Sequence, residues 1–298
     1  MTSLGRVAAV LAVSVIGHPL VATAQSQRQT IYASVVDRDG TPHTSLTAGD
    51  FIVREDDTRR EILAAAPTTD PLRIAVLVDT SQAMEPHIAN TRAAVKAFVQ
   101  WMHGEHEIAL FSVADRPTLL ADYTRDTQRL EHAAERVFSH TGSGAYLLDA
   151  ITEVSDGLRA REDARKVIVV ITSEGPEFSA RYHNDVLDAL RDADLTLHSF
   201  VLTRRRAGFA NDGAREREFA IARGTRLTGG RREDLVTSTP LSDRLLSLAA
   251  ELSNQYRIVY SRPPSLLGPK KVEAALRQPG LIVRASRVPR RNATADPD

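Results

Sequence analysis

Cysteine is missing from all 298 residues. Disulfides and thiolate metal sites are therefore excluded, whatever the compartment. An anchor of the bacterial lipoprotein type is excluded with them, since it needs a Cys. Net charge is missing too, with 38 basic residues against 38 acidic ones, so there is no electrostatic case for nucleic acid or an anionic membrane as partner. Aromatics are scarce at 5%, yet 42% of the chain is hydrophobic. That suffices for one medium core and a smaller satellite, and fits neither a disordered nor a membrane composition. No Gly-x-Ser-x-Gly elbow and no phosphate-binding Gly-Lys-Ser/Thr loop occurs.

The amino terminus is distinctive. Within residues 1–24 the only charge is Arg6, an apolar run follows from Val7 to Gly17, and Ala22-Thr23-Ala24 has the small-x-small form of a cleavage site. This pattern predicts a signal peptide over 1–24 and a periplasmic or secreted protein. Removing it takes one Arg and no acid, leaving a formal −1. No other stretch approaches the roughly 20 apolar residues of a membrane span. The strongest basic cluster, Arg204-Arg205-Arg206, reads as a solvated loop after a strand.

Four continuous apolar runs, Ile74–Val78, Ile108–Val113, Val167–Ile171 and Leu195–Leu202, predict strands buried on both faces, as in a parallel sheet. Helical stripes separate them: Ile88, Val95, Phe98, Val99 and Met102; Leu147, Ile151, Val154 and Leu158; Val186, Leu187 and Leu190. The alternation predicts a doubly wound, Rossmann-like α/β domain over residues 70–254 with a mostly parallel central sheet. The short connection through Gly104 leaves an antiparallel second strand open. A last helix is expected over Leu241–Ser253, capped by Ser238 or Thr239 with Pro240 in its first turn. The ends read as strands. Ile31–Val36 and Phe51–Arg54 lie in an N-terminal segment, 28–68. Tyr256–Tyr260, Val272–Arg277 and Leu281–Ser286 lie in a C-terminal one, 255–288, with Pro279-Gly280 closing a hairpin between the last two. Neither end has enough strands to stand alone, so the two are expected to form one small β unit, followed by a disordered tail, 289–298.

In such sheets ligands bind at the carboxyl ends of strands, at a topological switch point. The first run ends in Asp79-Thr80-Ser81-Gln82-Ala83, where a carboxylate and a hydroxyl two residues apart can face one hard cation. Other clusters are less specific. His103 and His106 with Glu105 and Glu107 lack His-Glu-x-x-His spacing and read as a solvated helix end. Asp37-Arg38-Asp39-Gly40 reads as a hairpin turn. Asp122–Asp126 is expected as polar surface near the metal edge.

Ile74–Ser81 followed by a long helix resembles the opening of a von Willebrand factor type A (VWA) domain. Val35–Gly40, Leu46–Phe51, Arg54–Asp57, Thr228–Arg231, Leu252–Tyr256 and Arg277–Leu281 resemble segments of the VWFA-related family of exported bacterial proteins, best known from acidobacteria. The resemblance covers nearly the whole mature chain. It implies a metal-ion-dependent adhesion site built on Asp-x-Ser-x-Ser, a Thr on a second loop and an Asp after a later strand. Asp79 and Ser81 match. Ala83 stands for the third residue of the motif, Ala145 for the Thr, and Ser173 for the Asp, with Glu174 beside it. The resemblance thus implies an extracytoplasmic, non-enzymatic protein-binding module with a degenerate site. Asp79 and Ser81, with Ser173 and Glu174, are the remaining candidate ligands, and Gln82, Ser143, Tyr146 and Glu177 the expected rim for a protein partner. One alternative is a metal-dependent adhesin holding Mg²⁺ weakly through Asp79 and Ser81. Another is a hydrolase using Asp79, although Ser81 occupies the position of its necessary second acid. A bland reading makes Asp79 and Ser81 turn and cap residues.

Overall fold

The structure, a computed structural model, describes residues 26–102, 104–161, 164–203, 211–264 and 268–285. The expected signal peptide 1–24, the tail 289–298, Arg204-Arg205-Arg206 and His103 lie outside the described residues. In chain order the elements are β1 (Gln27–Val36), β2 (Phe51–Glu55), β3 (Thr58–Arg60), β4 (Ile62–Pro67), β5 (Leu72–Asp79), α1 (Ile88–Met102), β6 (Glu107–Val113), β7 (Pro117–Thr124), α2 (Thr127–Glu135), α3 (Leu147–Arg159), β8 (Arg165–Ser173), α4 (His183–Ala193), β9 (Leu195–Leu202), α5 (Asp212–Thr228), β10 (Arg232–Leu235), α6 (Leu241–Ser253), β11 (Tyr256–Arg262), β12 (Val272–Leu276) and β13 (Ile282–Ala285).

Six strands make the central sheet in the order β10-β9-β8-β5-β6-β7. Every position of β5 is buried, because helices cover both faces and its alternating side chains enter two separate cores. Ile74, Val76 and Val78 pack with Val95 and Phe98 of α1 and Leu245 and Leu248 of α6. Ala75 and Leu77 pack with Ile151 of α3, Leu190 of α4 and Ile221 of α5. The chain leaves β5 for β6 on one side and later returns to β8 on the other, so Asp79 ends the strand at the switch point. This is the α/β, mostly parallel, Rossmann-like arrangement that the sequence predicts.

The second apolar run, in β6, pairs parallel with β5, from Arg73↔Glu107 to Asp79↔Val113. The antiparallel alternative fails because α1 supplies the crossover that a parallel pair requires. The antiparallel strand is β7, joined to β6 by a short turn. Residues Asp122–Thr124 lie at its far end, where Thr124 pairs with Ile108 at the start of β6. Antiparallel direction therefore carries Asp122–Asp126 to the amino edge of the sheet, opposite Asp79. His106 is buried at that edge rather than solvated, and the Leu72 N–H donates to its Nδ1 at 3.4 Å. Burial, the largest cause, holds its pKa below the usual imidazole value. Helix α6 begins without a side-chain cap, and Pro240 is itself the N-cap residue. The Ser238 hydroxyl instead accepts a hydrogen bond from Asn90 Nδ2 at 2.9 Å.

Two further sheets, β13-β1-β11-β4 and β12-β2-β3, combine strands from both ends of the chain. Ile31, Val35, Phe51, Val53, Tyr256, Ile258 and Val272 form their shared core. Pro279-Gly280 does not close a hairpin, since β12 pairs with β2 and β13 with β1. Each last strand thereby covers an edge of an earlier one that would otherwise be open. The α/β chain leaves and re-enters this unit at adjacent residues, where the Thr68 N–H donates to Gln255 O at 2.9 Å. Buried Arg165 spans the same junction, donating to Asp70 O and to Gln255 Oε1.

Candidate functional site

At the end of β5 the Asp79 carboxylate has no exposed surface. Its Oδ1 accepts from the Ser81 N–H at 2.8 Å. Its Oδ2 accepts from Thr172 Oγ1 at 2.7 Å and, at 3.4 Å, from the Ser173 N–H. Two more loops converge here. The His140 N–H donates to Thr80 O at 2.8 Å, and the Gln82 N–H to Ser143 O at 3.2 Å. The Ala145 N–H donates to Pro176 O at 3.0 Å and the Phe178 N–H to Ala145 O at 2.8 Å, so residues 145 and 177 form a parallel bridge.

Thr80 Oγ1, Ser81 Oγ and Ser173 Oγ are buried without a hydrogen-bond partner. Ala83 and Ala145 are buried as well, in two of the three loops that converge here. Asp79 acts as a turn residue through its bond to the Ser81 amide. Ser81 precedes the short 3-10 turn Gln82–His87, but its side chain makes no cap bond. Glu174 is exposed. Among the described residues no three His, Asp or Glu side chains gather as a metal cluster.

Of the expected rim, Gln82 is exposed, and Ser143 and Tyr146 are half-buried. Glu177 is not a rim residue, being 2% exposed. Its Oε1 accepts from the Leu147 N–H at 2.9 Å, at the first residue of α3, and from Ser179 Oγ at 2.6 Å. A carboxylate at a helix start satisfies an amide that the helix leaves open. Its backbone is fixed as well: the Glu177 N–H donates to Asn211 Oδ1 at 3.2 Å, and Asn211 Nδ2 donates to Glu177 O at 2.8 Å. Gly213 fits this close approach, because a Cβ there would sit 2.2 Å from Glu177 O.

Arg217, on the second turn of α5, is 5% exposed. It donates from Nη2 to Gly175 O at 3.0 Å, and its Nη1 lies 3.6 Å from Glu177 Oε2. Sequence reasoning missed both Arg217 and Asn211. The Asn211 cap, which accepts from the Ala214 N–H, is the signal that could have announced α5. Phe178, missed too, is 53% exposed, and its ring lies 6.2 Å from that of Tyr146.

Burial, opposed in part by the Ser179 hydrogen bond and by Arg217, pushes the Glu177 carboxyl up to about 7 from 4.5. Because the folded value lies above the unfolded one, protonation favours the fold. This contribution is complete below about pH 4.5, falls as pH rises through about 7, and is then lost. We expect it to reach about 3 kcal/mol. Urea melts at pH 5 and pH 8 should show that loss in the wild type and a much smaller one in Glu177→Gln; equal slopes would contradict this assignment.

Comparison with known families places this geometry. Residues 74–176, from within β5 to just past β8, match the family model described as von Willebrand factor type A domain. Comparison with curated proteins finds no match. Similar solved structures include a von Willebrand factor type A protein from Catenulispora acidiphila, at 9% identity over 90% of this chain and 74% of that one, TM-score 0.49. The conserved hypothetical protein BatB from Bacteroides thetaiotaomicron is 13% identical over 61% of this chain and 100% of its own, TM-score 0.46. The vWF domain of the type V pili tip protein Mfa5 from Porphyromonas gingivalis is 24% identical over 36% of this chain and 39% of its own, TM-score 0.33.

Proposed function

We propose that this protein is an extracytoplasmic protein-binding module of the VWA type whose metal-ion-dependent adhesion site is degenerate. The observation that carries the reading is the burial of Ala83 and Ala145 where the resemblance calls for hydroxyls, together with Asp79, the one carboxylate of the motif, whose two oxygens already accept hydrogen bonds. Mg²⁺ demands near-ideal octahedral oxygen coordination, and a methyl group contributes nothing to it. The residues present do not fit that ion, so recognition is assigned to side chains around the loops. Export rests on the leader-like pattern of residues 1–24.

The half-buried Tyr146 and exposed Gln82 are the contacts we expect a protein partner to use, an aromatic anchor of the kind that dominates interfaces. The test is capture of envelope proteins on the immobilised mature chain, in EDTA and in Mg²⁺, followed by titration of the retained partner. The same partner should be held in both conditions, and Tyr146→Ala should weaken it about 10-fold. Binding that vanishes in EDTA would overturn the degenerate site, and retention of no partner would remove the interaction reading.

A second reading keeps a weak Mg²⁺ site through Asp79, Ser81 and Ser173, favoured by the two serine hydroxyls that lack partners. The EDTA comparison decides between the two. Hydrolysis through Asp79 is disfavoured because its carboxylate has no surface for a substrate to reach.

A further inference from the structure

Two carboxylates, Asp79 and Glu177, are buried at the carboxyl edge of the sheet. Burying such charge without compensation is costly. Asp79 is compensated by Ser81, Thr172 and Ser173, whereas Glu177 also faces a cation carried by α5. Among the described residues the other buried arginines, Arg73, Arg165, Arg231 and Arg262, start strands at the amino edge of the central sheet or lie in the terminal β unit. Of the buried arginines among the described residues, only Arg217 enters at this edge.

Its contacts go to the segment that joins the site's loops. Arg217 Nη2 donates to Gly175 O, while Nη1 faces Glu177 Oε2 as an ion pair at 3.6 Å, and neither of those last two atoms has a hydrogen-bond partner. Glu177 in turn holds the Leu147 N–H of α3 and both the hydroxyl and the N–H of Ser179. Gly175 lies against the methyl of Ala83, where a Cβ on the glycine would come within 2.6 Å. One guanidinium thus anchors residues 174–179, which lie between α3, α5 and the Asp79 loop.

We propose that Arg217 is the resident cation of this site: a guanidinium built into α5 that holds the recognition loops together in place of a metal ion. The inference rests on the degenerate-site reading above. A planar fork suits the task, since it can reach a carbonyl and a carboxylate at once, which an ammonium on a flexible stem does less well. The tie is positional. Arg217 shapes the face that carries Tyr146 and Phe178 and touches no partner itself.

The experiment is amide hydrogen exchange on the mature wild type, Arg217→Lys and Arg217→Met, each in EDTA and in Mg²⁺. The amides read are Leu147, Phe178 and Ser179, with those of residues 74–78 in β5 as the control for global folding. Wild-type protection should be the same in both buffers. Arg217→Met should lose at least about 10-fold at the three loop amides while β5 stays protected, and Arg217→Lys should lose less, a graded rescue by retained charge. Should Arg217→Met not fold, Arg217→Lys decides alone: protection below wild type supports the tie, and wild-type protection overturns it. Unchanged protection in Arg217→Met, in a wild type insensitive to Mg²⁺, overturns Arg217 as the tie and leaves the degenerate site standing. Wild-type protection that rises with Mg²⁺ overturns both.

Discussion

Combining Ala83→Ser, Ala145→Thr and Ser173→Asp should produce a protein whose melting temperature rises by roughly 5–10 °C in Mg²⁺, while the wild-type melt does not move. The three changes restore the oxygens that the VWA resemblance leads one to expect, next to Asp79 and Ser81, which are already in place. An ion present at about 100 times its dissociation constant stabilises the fold by about 2.7 kcal/mol. In a domain of this size each kcal/mol moves the melting temperature by about 2–4 °C. The added carboxylate matters most, because hard cations are bound through charge as well as geometry. Gly175 crowds the methyl of Ala83, so the double variant without Ala83→Ser is the companion measurement. A wild type that itself shifts in Mg²⁺ would refute the degenerate site. Variants that both stay unresponsive would show that the loops no longer converge on an ion's position.

The second large effect belongs to Tyr256. Its ring is fully buried and meets Phe51 edge-on, with centroids 5.1 Å apart. The hydroxyl donates to His43 O at 2.9 Å and accepts from the Leu46 N–H at 3.0 Å. Between β1 and β2 the chain has little ladder of its own, so this side chain pins that segment to β11. Tyr256→Ala should cost about 4 kcal/mol, from lost burial and the cavity left behind. Tyr256→Phe should cost about 1–3 kcal/mol, because it strands a carbonyl and an amide. Urea melts of the three proteins supply the check. An Ala variant within about 1 kcal/mol of wild type would mean that the terminal sheets contribute little to stability.

The α/β core was legible because burial on both faces writes continuous runs such as Ile74–Val78 and Val167–Ile171 into the sequence. Helix α5 was not. Its buried positions include Arg217, Gly224, Thr225 and Thr228, so it shows no apolar stripe to a reader of periodicity. Strand β7 is half exposed and carries Pro, Asp and Tyr, which reads as loop. The position of Asp79 at the carboxyl end of β5 was readable from the apolar run before it. Glu177 was misplaced to the rim because a charged residue in a polar loop is ordinarily exposed. What buries it is a pairing with Asn211 and Arg217, over 30 residues away in sequence, and spacing alone does not announce such a contact.

The junction at Thr68 and Gln255 bears on how this cysteine-free chain unfolds. One hydrogen bond separates the residue where the chain enters the α/β domain from the one where it returns. While the terminal sheets stay folded, everything between those residues melts as a closed ring, not as an open chain. Closing a ring of that length removes unfolded-state freedom worth roughly 5 kcal/mol in the chain-entropy model. Strands drawn from the two ends thus serve as a reversible clasp in the place where a disulfide would be a covalent one.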